Sequence, residues 1–159
     1  MFLFLTLFLL VASPASDPPR PLLLLNATVH LGDGTTLPNA ALAITGDSVS
    51  MLADARVIRL DMSAFEVVGL FGNHVYPAER VASSDSLAHL PGAVSVLLDS
   101  GQVLVPRRAG SKSFRLQRGQ AATLIVTDTL MTENTRPRVL RAFVNGKEVM
   151  PPAAPNRCP

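Results

Sequence analysis

The chain has 159 residues, 48% of them hydrophobic and 16% charged, enough to bury one core of ordinary size, so one domain is expected. Its 14 basic and 12 acidic residues leave a formal net charge of +2 and are scattered without blocks. With a single tyrosine and no tryptophan there is no basic surface interleaved with aromatics, which excludes nucleic acid as an expected partner.

Met1 to Ala12 read MFLFLTLFLLVA and run into the small residues Ser13-Pro14-Ala15-Ser16. This is the pattern of a secretory leader, so residues 1–15 are expected to be a signal peptide and the mature chain to be exported, periplasmic or extracellular. Because no Lys or Arg precedes the apolar run, a retained N-terminal anchor is the alternative. No later segment is apolar over a length that crosses a bilayer, so no other membrane contact is expected. Residues 16–21, with Pro18, Pro19 and Pro21, are expected to be a stiff extended linker.

The fold is expected to occupy residues 22–150. Leu22 to Leu31 is an apolar strand ending in Gly32-Asp33-Gly34-Thr35, a turn whose residues accept positive φ. Ala40 to Thr45, the Gly46-Asp47 turn and Ser48 to Leu52 continue it as a meander. Arg56 to Leu60 alternates Val57, Ile58 and Leu60 with two arginines and predicts a fourth strand; the apolar run into Gly69 predicts a fifth. Residues 77–109 predict at most one short helix, capped at Ser83-Ser84-Asp85 and ended by Pro91. A hairpin follows there, Val94 to Leu98 and Val103 to Val105 around Asp99-Ser100-Gly101. Val139 to Val144 and Lys147 to Met150 flank Asn145-Gly146, the strongest hairpin signal in the chain. The proline-rich residues 151–159 are expected to be a disordered tail. Many short strands between Gly, Asn and Asp turns predict an all-β fold, a small β-sandwich or partly open barrel.

The stretch Phe65 to Tyr76 carries an apolar β-branched run through two glycines into His74, the way a strand delivers a polar side chain to a pocket rim. Gly69, Leu70, Phe71 and His74 resemble the Pro-Gly-Leu-Ile-Asp-x-His-x-His motif of metal-dependent amidohydrolases, the imidazolonepropionase-like branch in particular. Val68 stands at the proline position, Gly72 at the aspartate position and Tyr76 at the second histidine. Asn26 to Val29, the Gly-Asp-Gly turn and Asn39 to Ile44 resemble the N-terminal arm of that family's small β domain. Phe114, Leu116, Gly119, Ala121, Ala122 and Leu124-Ile125-Val126 resemble its closing arm, with Thr123 in place of the usual aspartate. The resemblance implies paired N- and C-terminal arms forming one composite β domain over 22–150, with 77–109 as a reduced insert where the TIM barrel would stand. A barrel needs roughly 200 residues or more, so it is absent.

In the family the two histidines hold a catalytic metal, which makes His74 a vestigial metal ligand by resemblance. A phenol at position 76 is a poor replacement for an imidazole, and a hydrolytic zinc centre needs at least three protein ligands. His30, at a strand end, and His89, in the short helix, lack ligand spacing to His74 and read as ordinary imidazoles; Glu79 and Asp85 read as solvated carboxylates. No catalytic residue and no cofactor are expected, or zinc or another divalent metal if activity is retained. Nucleophile elbow, Cys-His pairing, phosphate loop and dinucleotide fingerprint are all missing. Cys158 is a lone thiol on the tail. Asn26-Ala27-Thr28 matches the glycosylation acceptor triplet, a pattern that also arises by chance.

Three readings follow: a truncated amidohydrolase-like protein, related to hydrolases of non-peptide carbon-nitrogen bonds and without catalysis alone; a subunit completing a metal-dependent amidohydrolase with a barrel-bearing partner; and an exported β-sandwich binding module. The sheet face a barrel would cover must be covered by residues 77–109 or by a homodimer.

Overall fold

The computed structural model describes residues 19–82, 94–107, 114–132, 134–135 and 137–150. The expected leader, residues 16–18 of the linker, the short helix with His89 and Asp85, and the tail with Cys158 lie outside the described residues.

The described chain is all-β: ten strands and a single 3-10 turn at Met62–Ala64. The strands are β1 (Leu22–His30), β2 (Thr36–Thr45), β3 (Ser48–Asp54), β4 (Glu66–Gly69), β5 (His74–Val81), β6 (Val96–Leu97), β7 (Val103–Pro106), β8 (Leu124–Thr127), β9 (Val139–Val144) and β10 (Lys147–Met150). They form one mixed sheet in the order β10-β9-β8-β5-β1-β2-β3, with β4 beside β1 and the β6–β7 pair attached to β5. The sheet curls until Val49, early in β3, exchanges backbone bonds with Gly119 and Gln120 ahead of β8, but no continuous ladder closes it into a barrel.

The expected meander is present as antiparallel β1, β2 and β3. The hairpin at Asn145-Gly146 is present too, and both turn residues take positive φ, 47° and 74°. A side chain at Gly146 would collide with the Gly46 carbonyl, so close packing of two turns adds to the conformational need for glycine. The N- and C-terminal arms meet where β5 pairs antiparallel with β8, Val75 opposite Val126.

The inner core draws on both arms: Leu24, Val29, Leu42, Ile44 and Val75 from one, Leu124, Val126 and Phe143 from the other. Two further clusters lie elsewhere on the sheet. Val96 and Leu104 of the β6–β7 hairpin pack with Ile125 and Ala142. Ile58, Leu60 and Phe65 pack on Leu23, Ala41 and Ala43.

That last contact corrects the fourth predicted strand. Residues 56–60 form no strand, because Asp54 ends β3 with a side-chain turn in which the Arg56 N–H donates to Oδ1 (2.9 Å) and Val57 N–H to the Asp54 carbonyl (3.2 Å). The chain leaves the ladder, and Ile58 and Leu60 serve as a cover over the sheet. Alternation here reflects one buried side of a loop. Strand β5 also runs past Pro77, the start of the expected insert, and pairs through Ala78–Val81 with β7.

Candidate functional site

The site forms on the two strands that stand side by side at the centre of the sheet. Along β1 and the residue after it, the apolar positions facing the inner core are Leu22 and Leu24, then Ala27, Val29 and Leu31. The change from even to odd numbering is made by Asn26, which bulges out of the ladder at φ 62°. Asparagine tolerates the left-handed region better than other residues with a Cβ, so the asparagine of the glycosylation triplet has a structural reason to be there. Strand β2 bulges at the same level, at Asn39 with φ 49°, and its inner positions change from Leu37 to Ala40, Leu42 and Ile44.

Opposite the bulge on the other side of β1, the chain breaks between β4 and β5. Both strands run parallel to β1, and the break is a turn in which Asn73 N–H donates to the Leu70 carbonyl (3.0 Å) with Gly72 at φ 76°. The Asn73 carbonyl then accepts from Thr28 N–H at 2.9 Å, which starts β5 with His74 beside Thr28. Val75 pairs with Val29 and enters the inner core, so strand alternation sends His74 and Tyr76 to the opposite face. The Asn26 bulge sends His30 to that same face.

Three rings therefore converge. His30 stacks on Tyr76 with centroids 4.1 Å apart and planes 9° from parallel. His30 Nε2 lies 3.1 Å from His74 Nδ1. The two imidazole centroids are 5.3 Å apart, so the facing nitrogens lie nearly on the line between ring centres and the rings meet edge to edge. That is the geometry of an N–H···N hydrogen bond, in which one ring donates and the other accepts, and the tautomer of each ring sets that of its partner. The Tyr76 Oη accepts the backbone N–H of Met131 at 2.9 Å and ties the loop after β8 to the cluster.

Both imidazoles are held neutral at pH 7. Burial, with a smaller contribution from His74, pushes His30 down to about 4, and burial alone lowers His74. Burial raises the Tyr76 phenol, partly offset by the Met131 N–H. Two carboxylates have partners of their own: Asp33 accepts from Thr35 N–H (2.9 Å) and lies 3.5 Å from Arg115, while Glu79 lies 3.5 Å from Arg107.

This donor set does not fit a hydrolytic metal. Zinc about 2 Å from each of two imidazole nitrogens holds them about 3.3 Å apart, close to the 3.1 Å seen here, so it is the number of ligands that falls short: a hydrolytic centre needs at least three from the protein. No group of three or more His, Cys, Asp and Glu is assembled for a metal among the described residues.

The structure gives His74 a partner that sequence spacing did not. His30, read as an ordinary imidazole, is 44 residues away and contacts His74 directly. The available clue was the parity change from Leu24 to Ala27 across an asparagine, which puts Thr28 and His30 on the face opposite Val29. Glu79 sits on β5 beside Arg107. No known protein family, curated protein or solved structure matches this chain.

Proposed function

We propose that the chain is an exported, amidohydrolase-like β domain without catalysis of its own, in which two arms remain paired around a reduced insert and the metal position has become a histidine–histidine hydrogen bond. The observation that carries this reading is the β5–β8 ladder: segments resembling the two separate arms of the family's small β domain are neighbouring strands sharing one core. The pairing of His74 with His30, with no third metal-ligating side chain beside them among the described residues, supports it, since a hydrolytic metal needs at least three protein ligands. A second reading, completion by a barrel-bearing partner that would bring the remaining ligands, is favoured by Phe71, 77% exposed at the turn where the family's barrel begins.

Zinc binding by Tyr76→His decides between a vestigial metal position and an unrelated histidine pair. The substitution returns the missing member of the His-x-His pair and places a third imidazole against His30 and His74. Equilibrium dialysis is expected to give well under one zinc per chain for the unaltered protein and about one for Tyr76→His. Hydrolysis of an amide or lactam by the isolated, unaltered chain would overturn the reading, and hydrolysis only with a second polypeptide would replace it with the partner-completed enzyme.

A further inference from the structure

We draw no further inference here: the strongest candidate, the outer edge of β4 with Val67 and Phe71 exposed beside it, carries nothing because it is only a four-residue strand and nothing in the structure shows what covers it.

Discussion

The two halves of β1 differ although they are one strand. Before Asn26, leucines fill both sides: Leu24 enters the inner core, and Leu23 with Leu25 lies under residues 55–65. After Asn26, one side is still apolar, with Ala27 and Val29 in the inner core, while the other carries Thr28 and His30. A single out-of-ladder residue separates a half that only packs from a half that also presents a polar cluster. Because strand alternation has a period of two, one extra residue exchanges every later side chain between faces.

Deleting Asn26 is the largest test of that comparison. The shortened strand would turn Val29 outward and drive the His30 imidazole into the inner core, where it has no hydrogen-bond partner. Several kilocalories per mole would be lost at once, about 4 or more, through the cavity at Val29 and the buried polar ring. Urea unfolding followed by circular dichroism is expected to show no cooperative transition. Asn26→Gly keeps the positive φ and is expected to stay within about 0.5 kcal/mol of the unaltered chain. If the deletion unfolds as cooperatively as the glycine variant, the bulge does not set the faces of β1.

Leu24→Ala probes the purely packing half. Leu24 is 1% exposed, among residues from both arms, and its truncation is expected to cost about 3 kcal/mol in the same measurement. His30→Leu, in the other half, should cost less, because it retains apolar contact with the Tyr76 ring and gives up one neutral hydrogen bond. The reverse order would mean that the polar cluster holds the strand more firmly than the core does.

The two halves also differ in their response to acid. His30 titrates at about 4 when folded against 6.5 ordinarily, so between those values the unfolded chain binds a proton that the folded chain does not. Its contribution is complete above about pH 6.5 and is lost as the pH falls toward 4, by about 2 kcal/mol once partial exposure is allowed for. His74, lowered by burial, acts in the same direction. Chemical denaturation at pH 7 and at pH 4.5 measures the difference, and replacing both histidines by leucine should flatten the part of the slope that they cause. An unchanged slope in that double variant would clear the histidines of the acid sensitivity, since a carboxylate such as Asp54, which Arg56 holds down to about 2, loses its contribution only as the pH falls below about 4.

How much of this was legible follows from how local each cause is. The Asn145-Gly146 hairpin could be read because the two turn residues themselves determine the required angles. The meander could be read because Gly and Asp turns separate its strands, and the β6–β7 hairpin because apolar runs flank Asp99-Ser100-Gly101. The failure at Arg56–Leu60 has a tertiary cause, since a loop covering Leu23 shows the same alternation as a paired strand. The continuation of β5 through Pro77 was hidden because proline lacks the N–H of a ladder residue, yet its carbonyl here accepts from Arg107 N–H at 2.8 Å. The partnership of His30 with His74 needed two facts that are not local: which strand lies beside β1, and which face His30 takes after the bulge.

The smallest expected effect separates the two duties of Tyr76, whose ring stacks on His30 and whose hydroxyl receives the Met131 N–H. Tyr76→Phe keeps the ring and leaves that half-buried N–H without its acceptor, so a loss of about 1 kcal/mol is expected. Hydrogen exchange should quicken at Met131 while the amides of Thr28 and Val75 stay protected, since their backbone bonds belong to the β1–β5 ladder and its entry turn. If exchange quickened equally at all three, the phenol hydroxyl would be holding β5 against β1 as well as anchoring the loop. The polar half of β1 would then depend on its side-chain cluster as much as on its ladder, and the contrast between the two halves would be one of stability as well as chemistry.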